Sequence, residues 1–235
     1  MTPLLPHIKI ETAPHPTAAV IWLHGLGADG NDFAGLVPAP GGGGFSAALD
    51  LTGLPPIRFI FPHAPAIPVT LNGGYVMPAW YDILGTQLQR VEDSAGIRKS
   101  AVQIEALIAD QVAQGIPASR IVLAGFSQGC AMVLHTGLRH AEKLAGIMAL
   151  SGYLPLVDSV AKECSAANKD TPIFMAHGIA DPMIALDRAE ASRDALAGFG
   201  CKVQWHTYQM PHSVHPREIE DISKFLKSVL ASEQA

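Results

Sequence analysis

The run Ile121-Val122-Leu123-Ala124 leads straight into Gly125-Phe126-Ser127-Gln128-Gly129, and the small-residue run Cys130-Ala131-Met132-Val133-Leu134 follows. An apolar run, Gly-x-Ser-x-Gly and a helix-compatible run together predict strand, tight turn and helix, with a serine at the apex. A serine there is forced into a strained backbone conformation with its hydroxyl raised above the sheet edge. Gly125 and Gly129 flank it because strand and helix come too close for side chains at those positions. The N–H of Gln128 opens the helix and points toward whatever Ser127 attacks. A Gly-rich turn that only packs a helix on a sheet has the same local pattern. The chain must therefore supply an acid, a base and a second oxyanion donor.

Other apolar runs of strand length lie at Ala18–Leu23, Ile57–Phe61, Ala145–Ser151 and Thr171–His177, with an alternating one at Lys202–Tyr208. Runs apolar throughout are expected of strands buried on both faces. Between them, Ile97–Val112, Gln128–Arg139 and Ala185–Phe199 step as helices, and Pro216 suits the first turn of a last one. Strands separated by helices predict an α/β fold, a mostly parallel central sheet with helices on both faces. At 235 residues the chain fits a single domain over residues 1–235, with residues 1–16 as an N-terminal arm holding one short strand at Ile8–Ile10. A short helix is expected around Asn31–Val37 and at most another at Phe45–Leu51, after the Gly41–Gly44 run. The Pro- and Gly-rich segment Pro62–Gln89 and the stretch Tyr153–Asp170 read as irregular.

Composition removes several function classes. Hydrophobic residues make up 49% and charged residues 16%, so disorder is not the default. The formal charge of −5, with no block of like charges, suggests neither a nucleic-acid nor a membrane-surface partner. Cys130, Cys164 and Cys201 form no Cys-x-x-Cys pair and fit reduced thiols in a cytoplasmic compartment. The N-terminal residues carry no signal-peptide pattern, and no apolar stretch reaches the roughly 18 to 20 residues of a membrane span. No metal-binding spacing such as His-Glu-x-x-His is present.

In open α/β sheets, sites form beyond the C-terminal ends of the strands. The turns there hold Gly178-Ile179-Ala180-Asp181, Gln209-Met210-Pro211-His212 and His24-Gly25-Leu26-Gly27. They give the chain order Ser127, Asp181, His212 expected of an α/β-hydrolase. In those roles His212 takes the serine proton, and Asp181 fixes its tautomer and stabilises its cation. Leu26, between two glycines, offers the second oxyanion N–H beside that of Gln128. The rivals are weaker. His215 precedes or caps the last helix. Asp187 falls inside a helix, and Asp170 lies at the opposite sheet edge. His177 and His24 read as packing and turn-bracing residues, His135 and His140 as ordinary helix residues, and Cys130 as a small buried one.

Five motifs, in order, carry a resemblance. They are His24-Gly25-Leu26-Gly27-Ala28-Asp29, Phe61-Pro62-His63-Ala64-Pro65, Met77-Pro78-Ala79-Trp80-Tyr81-Asp82-Ile83, Gly125-Phe126-Ser127-Gln128-Gly129 and Met210-Pro211-His212-Ser213-Val214. Over about residues 17 to 230 the chain resembles the phospholipase/carboxylesterase family, which includes acyl-protein thioesterases and small bacterial carboxylesterases. The resemblance implies an α/β-hydrolase fold without a large cap domain and the triad Ser127, Asp181 and His212. It also implies an oxyanion hole from Leu26 and Gln128, and hydrolysis of carboxylic esters, thioesters or lysophospholipids without metal or cofactor. It is compatible with a homodimer. Three departures stand out: Cys130 where a second glycine is usual, Pro211 before the histidine, and the Gly41–Gly44 insertion. A lysophospholipase with the same machinery, or a non-catalytic binding protein on the same fold, are the alternative readings.

The segment Ala66–Ile83 holds Leu71, Val76, Met77 and Trp80 in what reads as little regular structure. Such residues either join the core or line something apolar. Leu71, Met77 and Trp80 are therefore expected to wall a substrate groove, the alternative being packing against the fold or a second subunit.

Overall fold

The computed structural model describes residues 3–38, 48–85 and 90–231. The Gly41–Gly44 run, the start of the Phe45–Leu51 expectation and the end of the Pro62–Gln89 segment lie outside them. Residues 48–51 are not helical, and Leu49 is instead tucked into the core.

Seven strands form the central sheet: β1 (His7–Glu11), β2 (Ala18–Leu23), β3 (Ile57–Pro62), β8 (Ile121–Phe126), β9 (Gly146–Leu150), β10 (Ile173–Gly178) and β11 (Val203–Tyr208). Their order is β1-β3-β2-β8-β9-β10-β11, and only β1 runs antiparallel to its neighbour. Two small antiparallel hairpins stand apart: β4 (Ala66–Val69) with β5 (Tyr75–Pro78), and β6 (Ile83–Gly85) with β7 (Arg90–Glu92).

The helices are α1 (Asn31–Ala34), α2 (Ser94–Ala113), α3 (Gln128–Gly137), α4 (Val157–Glu163), α5 (Leu186–Gly198) and α6 (Pro216–Leu230). Residue alternation along each strand sorts the core into two layers. Ala19, Ile21 and Leu23 of β2 face α2, α3 and α5, whereas Ala18, Val20 and Trp22 face α1 and α6. Ile121 and Leu123 against Val122 and Ala124 of β8 split the same way. Both faces of the sheet are thus covered, which is why these strands read as unbroken apolar runs.

Two expectations need correction. The segment after β3 is not irregular: Ala66–Pro78 is a hairpin closed by a 3₁₀ turn at Thr70–Asn72, with Gly73 and Gly74 at positive φ. Pro68 and Pro78 concealed it, yet in a two-stranded ribbon both strands are edges and tolerate proline. The stretch Tyr153–Asp170 contains α4, seven residues long with only Val160 buried, too little for a readable apolar stripe.

The strand order changes direction between β2 and β8. From β2 the chain moves outward to β3, then returns to place β8 on the other side of β2. The loops leaving these two strands diverge there and open a crevice at their C-terminal ends, the position where ligands bind in such sheets. His24-Gly25-Leu26 leaves β2 at that point, and Ser127 leaves β8.

Candidate active site

Ser127 sits between β8 and α3 with φ 56° and ψ −114°, a conformation an L-residue holds only under constraint. Its N–H donates to the Leu150 carbonyl at 2.9 Å, and the next residue already begins α3. The flanking glycines are sterically required. A Cβ on Gly125 would lie 2.3 Å from the Gly129 carbonyl oxygen, and one on Gly129 would lie 2.4 Å from that of Leu23. The turn therefore pins its serine outward, over the crevice.

His212 Nε2 lies 2.9 Å from Ser127 Oγ, and His212 Nδ1 lies 2.6 Å from Asp181 Oδ2. A carboxylate only accepts, so Nδ1 carries the proton and Nε2 is left to accept from the serine. The other Asp181 oxygen, Oδ1, accepts the N–H groups of Met183 at 2.8 Å and Ile184 at 2.9 Å. The Asp181 side chain is wholly buried, while that of His212 keeps 17% of its surface exposed at the crevice. Beneath Asp181, buried His177 donates from Nε2 to the Ile184 carbonyl at 2.9 Å, and the same nitrogen lies 3.4 Å from Asp181 Oδ2. The ring of Phe126 packs on His212 with centroids 4.8 Å apart.

The loop after β2 is braced from within. Ala64 N–H donates to His24 Nε2 at 3.1 Å, which leaves Nδ1–H to donate to the Gly25 carbonyl at 2.7 Å. Burial lowers the affinity of His24 for a second proton, in keeping with this neutral form. Gly27 N–H donates to the Pro78 carbonyl at 2.8 Å and ties the loop to the end of β5. Leu26, Ser127, Gln128 and His212 all line one cleft of about 390 Å³. Gln128 is the first residue of α3, so its N–H has no intrahelical partner. Among the described residues no group of three or more His, Cys, Asp or Glu side chains is placed to hold a metal ion, and no helix is long and apolar enough to cross a membrane.

Residues 6–230 match the family model described as Phospholipase/Carboxylesterase. Acyl-protein thioesterase 1 of Yarrowia lipolytica is 40% identical over 230 residues, 96% of this chain and 97% of that protein. Its namesake in Neurospora crassa is 42% identical over 229 residues, 94% and 90% of the two chains. Among solved structures, Arabidopsis thaliana SOBER1 superposes with a TM-score of 0.79 at 26% identity, covering 91% of this chain and 99% of that one. Zea mays acyl-protein thioesterase 2 gives 0.76 at 26% identity, covering 95% and 99%. The chain belongs to the phospholipase/carboxylesterase family. It is a hydrolase with the α/β-hydrolase fold, and among its described residues no separate cap domain covers the crevice.

In this hydrolase the rival residues lie elsewhere. His215 caps α6, accepting from Arg217 N–H at 3.1 Å, with its ring stacked on Tyr208. Asp187 is in the first turn of α5, and Asp170 faces Lys202 at 3.4 Å. Cys130 is fully buried, and burial pushes its thiol pKa far up, so it presents no thiolate.

The expected groove wall divides. Leu71 and Met77 line the cleft together with Ile83. Trp80 does not, and its placement in the groove is a misreading. Its side chain is buried, with Nε1 donating to the His24 carbonyl at 2.9 Å. Its N–H donates to Gln128 Oε1 at 2.8 Å, and its carbonyl accepts from Ser100 Oγ. Trp80 is a brace between the loop after β2 and the start of α3. Three features were missed. The Gln128 side chain also donates from Nε2 to the Tyr81 carbonyl at 2.7 Å, clamping the Trp80–Tyr81 backbone. Tyr81 and Tyr153, both in the cleft wall, share a hydroxyl–hydroxyl bond of 2.9 Å, and burial holds Tyr81 firmly protonated. The Arg188 guanidinium lies over the Tyr153 ring, 3.4 Å from its centroid. Only the aromatic and Arg composition hinted at these, because their partners come from distant parts of the chain.

Proposed function

We propose that the enzyme is a serine hydrolase that cleaves carboxylic esters or acyl thioesters through an acyl-enzyme on Ser127. The observation that carries this is the 2.9 Å approach of His212 Nε2 to Ser127 Oγ at a positive-φ turn, with Asp181 on the other ring nitrogen. His212 removes the serine proton as Oγ attacks the acyl carbonyl, and Asp181 stabilises the imidazolium that forms. The N–H groups of Leu26 and Gln128 are the oxyanion donors. His212 then passes the proton to the departing alkoxide or thiolate. In the second half a water molecule, deprotonated by His212, attacks the acyl-enzyme and releases the acid.

The acyl chain lies along Leu71, Met77 and Ile83, an apolar wall beside Ser127. The relatives named acyl-protein thioesterase favour thioesters among the candidate substrates. A lysophospholipid would use the same wall and differs in its leaving group. Three free thiols fit a reducing, cytoplasmic setting. The test is covalent labelling with a fluorophosphonate probe, followed by kcat/KM for p-nitrophenyl esters and acyl thioesters of rising chain length. Labelling that persists in Ser127→Ala would sink the assignment.

A further inference from the structure

The main cleft does not end at Leu71. A second cleft of about 370 Å³ shares Leu71, Met183 and Ile184 with it and continues past Pro182 to Asp187 and Arg188 at the start of α5. A third, of about 350 Å³, lies on the opposite side against His212, Ser213 and Val214. The chemistry assigns the two directions. The departing oxygen or sulfur takes its proton from His212 Nε2, so the leaving group lies against the His212 loop, in the third cleft. The acyl chain then runs the other way, along Leu71 and toward the second cleft.

At the far end of that path stands Arg188. Arg188 is half-buried, and its guanidinium carbon lies over the Tyr153 ring, 3.4 Å from the centroid. Tyr153 is itself fixed by its bond to Tyr81. No carboxylate among the described residues lies within ion-pair distance of Arg188, although Asp187 is its neighbour in sequence and lines the same cleft. Arg58, Arg98, Arg139 and Arg193, by contrast, each pair with a carboxylate. Stacking offsets only part of the cost of removing a guanidinium from water and leaves the edge of its donor fork unused. A planar fork of donors held rigid at the end of an apolar channel matches a carboxylate.

We propose that Arg188 is a specificity residue that receives an anionic carboxylate carried on the acyl chain of the substrate. The preferred acyl groups would then include those of dicarboxylic acids esterified at one end. This rests on the acyl-enzyme reading above and adds the substrate class to it. Asp187, in the same cleft, opposes the anion by repulsion and limits the gain.

The test compares p-nitrophenyl monoesters of adipic, suberic and sebacic acids with the hexanoyl, octanoyl and decanoyl esters of equal length. In Arg188→Gln the ratio of kcat/KM for acid-bearing over neutral esters should fall about tenfold or more for the diacid whose length fits, the scale of a charge-assisted bond. Arg188→Lys, which keeps the charge without the fork, should fall between. A ratio unchanged at all three lengths overturns the proposal. So does a loss confined to 4-(octanoyloxy)benzoate relative to phenyl octanoate, which would put the anion on the leaving-group side. If the wild type hydrolyses none of these esters, the esterase reading fails together with this one. Normal hydrolysis of the neutral series with an unmoved ratio removes the Arg188 proposal alone.

Discussion

Trp80→Phe separates two ways in which an aromatic residue near a cleft can matter. Trp80 is 1% exposed, and its Nε1–H satisfies the carbonyl of His24, the residue that begins the loop carrying Leu26. Phenylalanine keeps the apolar bulk but leaves that carbonyl buried without a partner, which costs about 1 to 3 kcal/mol. The smaller ring adds a void worth about 1 kcal/mol more. Urea unfolding should therefore show a loss of about 2 to 4 kcal/mol. The same change loosens the His24–Leu26 backbone, where an oxyanion donor is worth up to about 10²- to 10³-fold in kcat. A loss of about tenfold or more in kcat/KM is expected, and it should be the same for acetyl, hexanoyl and octanoyl esters. Met77→Ala supplies the contrast. Met77 lines the cleft, so its loss should grow with chain length, by up to about 0.8 kcal/mol, or roughly fourfold, for each methylene it covers. If Trp80→Phe, shown by circular dichroism to be folded, penalises octanoyl far more than acetyl esters, then Trp80 contacts the acyl chain and the bracing argument is wrong.

Ser127→Ala and His212→Ala should each lose about 10⁴- to 10⁶-fold in kcat, measured with p-nitrophenyl butyrate. His215→Ala should keep most of its activity and lose about 0.5 to 2 kcal/mol of stability in urea, the value of a helix cap. Gly129→Ala should fail to accumulate as folded protein, because its Cβ would meet the Leu23 carbonyl oxygen at 2.4 Å; a well-folded, active variant would contradict the steric argument. Glu218 is fully buried at the start of α6, and burial pushes its carboxyl up to about 7. Between about pH 4.5 and 7 the folded state therefore holds a proton that the unfolded state has released, and stability falls as pH rises, by about 3 kcal/mol at most. Burial pulls His135 down to about 4, so from pH 6.5 downward the unfolded state gains a proton first and stability falls as pH drops. The two slopes oppose each other, and Glu218→Gln should expose the second as a steeper acid-side loss in urea midpoints taken from pH 4.5 to 7.

What could be read from the residues was whatever repeats locally or sits at a fixed place in the fold. Ala18–Leu23 is buried along its whole length, so its unbroken apolar run stated both the strand and its coverage on two faces. Ser127 directly follows β8, and Leu26, Asp181 and His212 lie in the turns just after β2, β10 and β11, so the rule that α/β sites gather at strand ends was enough to group them. The hairpin Ala66–Pro78 escaped because prolines in two edge strands look like loop chemistry. α4 escaped because only Val160 reaches the core.

The supporting contacts escaped for a different reason. Gln128 meets the Trp80–Tyr81 backbone, Trp80 meets His24, and Tyr81 meets Tyr153, each across more than forty residues of sequence. No periodicity encodes such pairs, since they depend on where three separate crossovers end. Yet they fix the geometry that matters. The loop bearing Leu26 is tied to Trp80 through the His24 carbonyl, and Gln128, whose N–H is the other proposed oxyanion donor, is tied to the same Trp80 through its side chain. One buried tryptophan thus sets the separation of the two proposed donors. The strand ends determine which residues face the crevice, and this cross-brace determines how far apart they stand. A variant that leaves every residue lining the cleft in place can therefore still lose transition-state stabilisation.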